Sequence, residues 1–315
     1  MQTRKTMPGL GICDCRSGLR SRFGGVRLPI LSARRMADEN LKSKIANSIF
    51  ILVLFGLGSS TSLALDLMGP PASGVKQGQF HIGADFSFSQ MDLELKDGLW
   101  VEYLDGVFSD AGGATSFTLK DFEADRLYAN LGYGIADNWD VFVRLGGADA
   151  QFGDSIWQDH ESFDSGTEIA IGGGIKATFY EEGNLKLGAL IQASWVQFDG
   201  QLKAPHWTAA DSVEIDITQI QIAVGATCRL TDQLSIYGGP FLHLVDGDLD
   251  DEYSEIDEGT GGLLTSHYSW SVQEDSILGA YVGAQVDLTE NCSVNIECQL
   301  TSAAEAIAVG LLWRF

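Results

Sequence analysis

The sequence predicts an all-β fold: a closed antiparallel transmembrane β-barrel of about ten strands, following an N-terminal signal peptide. Three observations predict it. Ten segments alternate apolar and non-apolar residues with the two-residue period of a strand. The connections between them alternate short and long. Beyond the signal region no segment holds the ~18 consecutive apolar residues of a helical membrane span.

Residues 1–35 are basic and irregular, with eight Lys and Arg against Asp14, and read as an over-extended start or a presequence ahead of Met36. Residues 36–64 read as the signal peptide. Lys42 and Lys44 form the positive region, Ile49 to Leu57 the apolar region, and Ser62 and Ala64 the small residues at −3 and −1 of the cut. Residues 65–78, with Pro70 and Pro71, read as a short periplasmic lead, and residues 79–315 as the barrel. From Leu65 onward the chain has 10 bases and 40 acids, a formal charge of −30. That balance argues against nucleic acid, whose phosphates need basic partners.

The first strand sets Phe80, Ile82, Ala84, Phe86 and Phe88 on one face, and His81, Gly83, Asp85, Ser87 and Ser89 on the other. The same alternation recurs over Arg126–Ile135, Trp139–Gly146, Glu168–Phe179, Leu185–Trp195, Gln219–Arg229, Leu234–Leu244, Leu278–Leu288 and Cys292–Thr301. Pro240 cannot donate to a ladder and predicts a bulge or local break. A change of apolar phase between Ile217 and Ile220 predicts a bulge or the exit from the apolar band. The face opposite the apolar stripe is rich in Gly, Ala and Ser, which suits a narrow lumen with the apolar face turned to lipid. Aromatics such as Tyr133, Trp139, Phe179 and Trp195 stand at strand ends, as interfacial girdles do. Short connections lie at 136–138, 181–184, 231–232 and 289–291. Long ones lie near 90–120, 150–166, 199–212 and 247–268, and the first could hold a hairpin of Leu93–Leu95 against Leu99–Tyr103.

The last strand carries Ile307, Val309, Leu311, Trp313 and Phe315 on one face and ends the chain on that phase. This run resembles the C-terminal assembly signal of bacterial outer-membrane β-barrel proteins. The resemblance implies residence in the bacterial cell outer membrane, contact with its lipid, and recognition by the barrel-assembly machinery during biogenesis. It implies no activity. Phe315 is expected to face lipid at the periplasmic interface, with Arg314 turned inward.

Charged residues on the opposite face define a predicted lumen set: Asp85, Arg126, Asp140, Arg144, Glu168, Lys176, Lys186, Arg229, Asp287, Glu297 and Arg314. Isolated buried charges are costly, so these are expected to pair into an interior network. The alternative is a charged constriction in a narrow pore for small solutes. Asp246, Asp248 and Asp250 open an acidic stretch with the spacing of the first calcium-loop ligands. Asp251 replaces the expected Gly and Asp257 the expected Glu, so the match to a divalent-cation site is weak and a solvated loop is the plain expectation. No other cofactor is expected. His160, His206 and His267 lie in long loops near Trp157, Trp207 and Trp270. A pairing of His243 with Asp246 at the outer rim resembles the omptin proteases, also ten-stranded, but their acidic pair has no match in the other loops. No catalytic residues carry over, and no P-loop, nucleophile elbow or zinc spacing occurs. Cys228, Cys292 and Cys298 fall on the apolar stripe as small apolar groups. The expected function is a non-enzymatic surface protein whose barrel anchors acidic extracellular loops for contact with a partner, in a structural or adhesive role. A pore and an outer-rim hydrolase are the alternatives.

Overall fold

A computed structural model describes residues 65–153, 162–203, 210–257 and 259–315. The signal-peptide region, His160, His206, Trp157 and Trp207 lie outside the described residues. The described chain forms twelve strands and no helix. They are β1 (Phe80–Leu104), β2 (Val107–Gly113), β3 (Phe117–Ala136), β4 (Trp139–Gly153), β5 (Ser162–Glu182), β6 (Leu185–Lys203), β7 (Ala210–Arg229), β8 (Leu234–Ile256), β9 (Leu263–Glu274), β10 (Leu278–Asp287), β11 (Cys292–Leu300) and β12 (Ala304–Arg314).

Ten of these close a ring. The order β1-β3-β4-β5-β6-β7-β8-β10-β11-β12 returns to β1 through the β1–β12 ladder, from His81 opposite Arg314 to Met91 opposite Ala304. Above that level β9 replaces β10, β11 and β12. It pairs with β8 from Asp246 opposite Gln273 upward, and with β1 from Leu93 opposite Glu274 upward. The barrel therefore has ten strands in its lower part and eight in its upper part. β2 lies off the ring and pairs with the top of β1.

The two parts have opposite polarity. In the lower part the outward residues are apolar and exposed, among them Ile82, Leu131, Val143, Leu145, Ile169, Val282 and Leu311. Inward positions there hold Asp85, Ser87, Arg126, Arg144 and Gln192, all buried. A closed barrel with an apolar exterior and a polar interior is the membrane arrangement, because lipid cannot satisfy an open sheet edge or a polar face. This is the arrangement of a transmembrane β-barrel, and Phe80–Phe88 is the membrane-crossing part of β1. Phe315 is exposed on the outward phase beside Trp313, its N–H donating to the Phe80 carbonyl, while Arg314 reaches inward.

Above Phe88, β1 (as far as Leu95), β4, β6, β7 and β8 exchange the chemistry of their faces without changing phase, whereas a register shift changes the phase on β3 between Phe122 and Leu119 and on β5 between Ala170 and Asp164. Along β1, Met91, Leu93 and Leu95 point in and are buried, and Gln90, Asp92, Glu94 and Lys96 point out. The phase change anticipated near Ile217 is this crossing: Ile215 and Ile217 point inward, Ile220 and Ile222 outward, and the β6–β7 register runs through without a shift. The described residues of the stretches expected as long loops near 90–120, 150–166, 199–212 and 247–268 are largely strand. Beyond the apolar belt β1 continues for residues 89–104. At ~3.4 Å per residue and ~40° of tilt, that lifts the sheet about 40 Å from the belt.

One local expectation changes, and the one at Pro240 is met. Leu93–Leu95 pair with Phe117–Leu119 of β3 and not with Leu99–Tyr103. The hairpin is instead β1–β2, turning at Asp105-Gly106, where both residues have positive φ (51° and 77°) as a type I′ turn requires. At Pro240 the β7–β8 ladder skips from Ala223 opposite Phe241 to Ala226 opposite Gly238 in unchanged register, a local break and not a bulge.

Candidate functional site: a plugged lumen and an acidic outer face

The lead, residues 65–78, does not lie in the periplasm. It runs inside the lower barrel, with Leu65, Asp66, Leu67 and Met68 almost fully buried, and joins β1 at the rim. Gly69 at φ 66°, followed by Pro70 and Pro71, keeps the segment out of helix or ladder, so its backbone polar groups need partners from the wall. The wall supplies them. Glu297 accepts the N–H groups of Met68 (3.0 Å) and Gly69 (2.8 Å). Asp140 accepts the Gly74 N–H (2.7 Å) and the Ser73 hydroxyl (3.0 Å). Lys176 Nζ donates to the carbonyls of Met68 (2.7 Å) and Pro70 (3.0 Å), and Arg144 donates to that of Leu67. Gln299 Nε2 donates to the Asp66 carbonyl (2.7 Å) and Arg314 Nε to that of Gly74 (3.1 Å). The Asp66 carboxylate lies between Arg126 (3.6 Å) and Arg144 (3.9 Å), all three buried.

Glycines in the wall make room for this segment. A Cβ on Gly188 would lie 2.6 Å from the Pro71 oxygen and the Ala72 Cα, and one on Gly134 would lie 2.0 Å from the Lys76 oxygen. Below the plug a vestibule of about 850 Å³ is lined in part by Asp140, Lys176, Lys186, Arg229, Asp287 and Arg314.

Of the predicted lumen set, Asp140, Arg144, Lys176, Glu297 and Arg314 converge on the plug, and Arg126 reaches it through Asp66. Asp85 is buried and accepts from Asn130 Nδ2. Lys186 pairs with Glu181 (3.0 Å), and Arg314 also approaches Asp287 (3.9 Å). Arg229 is exposed on the vestibule wall, and Glu168 is half-buried on the inward phase opposite Ala148. Sequence reasoning expected these charges to pair with one another; mostly they bind a backbone that it had placed outside. The residue it missed is Asp66, an acid set in the short apolar run Leu65–Met68.

The upper lumen is filled differently. Phe122, Phe152, Phe163, Phe198, Ile215, Ile217, Val245 and Trp270 pack inward and are buried. Phe122 of β3 meets Phe198 of β6 across the interior (6.0 Å between ring centroids) and Phe152 of β4 beside it (6.1 Å). His243 is buried inward on β8, whereas Asp246 faces out, so the two cannot form the dyad weighed from their spacing.

Asp246, Asp248 and Asp250 are not on a wrapped loop. They alternate along the outward face of β8, about 7 Å apart. A single calcium ion needs its oxygen ligands within about 2.5 Å. Among the described residues no group of three or more His, Cys, Asp or Glu converges as a metal site. The acids form rows instead. Asp199, Glu214 and Asp250 stand opposite one another across β6, β7 and β8, and Asp216 stands opposite Asp248. Gln197 Nε2 donates to Glu214 (2.8 Å) and Trp195 Nε1 to Asp216 (2.9 Å). Leu99, Asp199, Glu214, Asp250, Glu252 and His267 line part of a groove of about 490 Å³. On β3 and β4, Asp125 stands opposite Asp149. Burial and neighbouring acids (Asp149 and Glu123 for Asp125, Asp164 for Asp149) push both carboxyls above the ordinary range. Asp257, in the turn beyond β8, is held below that range by the hydroxyl and N–H of Thr260 and the N–H of Gly259. Cys228, Cys292 and Cys298 are unbridged thiols.

No family model matches the chain, and neither does any curated protein. Among solved structures it is similar to the outer membrane protein OprG from Pseudomonas aeruginosa, at 11% identity over 77% of this chain and 98% of that one, with a TM-score of 0.39. It is similar to the translocator domain of the autotransporter NalP from Neisseria meningitidis, at 12% identity over 89% and 98%, with a TM-score of 0.37. It is also similar to the outer membrane protease OmpT from Escherichia coli, at 13% identity over 75% and 97%, with a TM-score of 0.39.

Proposed function

We propose that this protein is a closed anchor in the outer membrane: a plugged, non-catalytic barrel that carries an acidic β-structured face outward for contact with a cationic partner. One observation carries the reading, the double filling of the interior. The lower lumen holds residues 65–78 bound through Glu297, Asp140 and Lys176, and the upper lumen holds the aromatic core around Phe122 and Phe198. A solute path would have to displace both. The acid rows on β6–β8 support the second half. Like charges directly opposite on a sheet face cost stability, so their concentration on one face favours a use for them. Planar-bilayer recording of the purified full chain tests the closure. No unitary current is expected, and a reproducible unitary conductance would overturn the reading in favour of a pore.

A further inference from the structure

We propose that the outward strip Leu99, Val101 and Tyr103 on β1 and the acid row beside it form one docking groove, whose occupant is an extended basic segment of a partner protein with an apolar anchor. The proposal rests on the cationic-partner reading and adds the shape and chemistry of that partner. A bulge creates the strip. Leu93 and Leu95 of β1 point inward, so an unbroken strand would turn Leu99, Val101 and Tyr103 inward as well. Lys96 stands opposite Ser271 and Leu99 opposite Ser269, so β1 carries one extra residue between these pairs. One extra residue sends every later side chain to the other face. It is accommodated at Asp97-Gly98. Asp97 takes φ 51°, a conformation that side chains rarely adopt, and a Cβ on Gly98 would lie 2.3 Å from Trp270 Nε1. Backbone strain is thus spent on turning apolar residues outward, beyond the membrane belt.

Leu99 is 63% exposed, and Tyr103 packs edge-on against Phe108 of β2 (6.4 Å between ring centroids) and His267 of β9 (5.8 Å). Phe108 is itself exposed. A contiguous exposed apolar patch with a polar rim marks a contact site, where scattered single residues do not. The register places the rim. Leu99 stands opposite Ser269, Ser269 opposite Asp250, Asp250 opposite Glu214, and Glu214 opposite Asp199. Every residue of this row lines the groove of about 490 Å³. Strands lie ~4.8 Å apart, so the first acid is about 10 Å from Leu99 and the last about 19 Å. An extended peptide sets same-side side chains ~7 Å apart, so an apolar residue followed by Lys or Arg at every second position spans the row. Cations seated there relieve the repulsion between acids held directly opposite one another. A second copy of this chain fits poorly, because it brings the same acids and a formal charge of −30 from Leu65 onward.

Fluorescence anisotropy of two labelled peptides with the purified full chain in detergent tests this. One is Trp-Ser-Lys-Ser-Lys-Ser-Lys, and the other has Ser in place of Trp. The Trp peptide should bind about tenfold more tightly. Leu99→Ser with Val101→Thr should abolish that preference and leave binding of the Ser peptide as it was. Glu214→Gln with Asp250→Asn should weaken both peptides. Equal affinities for the native chain would refute the apolar anchor and leave the cationic-partner reading standing. A preference that persists in the Leu99→Ser, Val101→Thr chain would trace it to detergent and refute the anchor too. Binding of poly-lysine but of neither peptide would overturn the groove alone, and binding of none of the three would overturn the cationic-partner reading with it. A dimer that Leu99→Ser dissolves would assign the strip to a second copy, against the proposal.

Discussion

Replacing Glu297 with Ala should loosen the plug and leave the barrel folded. The carboxylate accepts two backbone N–H groups, from Met68 at 3.0 Å and Gly69 at 2.8 Å, and the Gln299 amide at 2.6 Å. Hydrogen bonds to a charged acceptor contribute about 1.5–3 kcal/mol each, so losing the two from the plug backbone costs it about 3 kcal/mol at the low end. The remaining holds, Lys176 on the Met68 and Pro70 carbonyls and Asp66 between its two arginines, are untouched by the substitution. At about 1.4 kcal/mol per decade, opening of the segment becomes about a hundredfold more frequent. Hydrogen exchange read by mass spectrometry resolves this, because peptides covering 65–72 should lose about two decades of protection while peptides from β7 keep theirs. Glu297→Gln, which retains one acceptor oxygen, should lose less. Undiminished protection over 65–72 in a folded Glu297→Ala barrel would show that this carboxylate does not hold the plug.

Four further outcomes follow from the same geometry. Gly188→Val drives a side chain into the Pro71 carbonyl and the Ala72 backbone, 2.6 Å from the ideal Cβ, and should lower the gel-shift midpoint by the equivalent of about 1–3 kcal/mol. Phe198→Ala should destabilise the upper barrel by about 3–5 kcal/mol, read as protease cleavage above the membrane, since the ring is fully buried against Phe122. Asp125→Asn removes one of two opposed carboxylates and should stabilise by about 0.2–1 kcal/mol near neutral pH. Because both Asp125 and Asp149 have raised folded values, their effect is absent at low pH and stability falls as pH rises from the ordinary carboxylate value of 3.8 through the raised ones. The variant's pH–stability curve should therefore be flatter across that window. Asp216→Asn with Asp248→Asn should weaken poly-lysine binding by purified protein and reduce its salt dependence, and unchanged binding would remove the acid rows from the proposed contact.

Much of the barrel was readable because the lipid-facing stripe and the two-residue period reinforce each other below Phe88. Above it the period persists but the apolar residues move to the inner face. A search for one continuous apolar stripe therefore ends at the belt and assigns the rest to loops. β9 shows the loss: Trp270 and Val272 are inward core residues, yet their stretch carries Ser and His and follows an acid-rich segment. The Asp105-Gly106 turn was the available signal for the β1–β2 hairpin, since both residues can take positive φ and are flanked by aromatic and β-branched residues. The inward phase of Asp85, Arg126, Arg144 and Glu297 was readable from alternation, but their partner was not. Asp66 lies outside every periodic segment, and nothing local ties Met68 to a carboxylate 229 positions away.

By itself the sequence determined the class of fold, the phase of each membrane strand, and the pairing of Phe315 outward with Arg314 inward, because strand geometry forces side chains to alternate. Tertiary structure decided what fills the ring. Closing ten strands brings Glu297, Asp140 and Lys176 around one axis, and only there do their hydrogen-bonding needs match those of an irregular segment containing two prolines. It also decided that the acids of β6, β7 and β8 lie side by side, since register, which no single strand contains, sets Glu214 between Asp199 and Asp250.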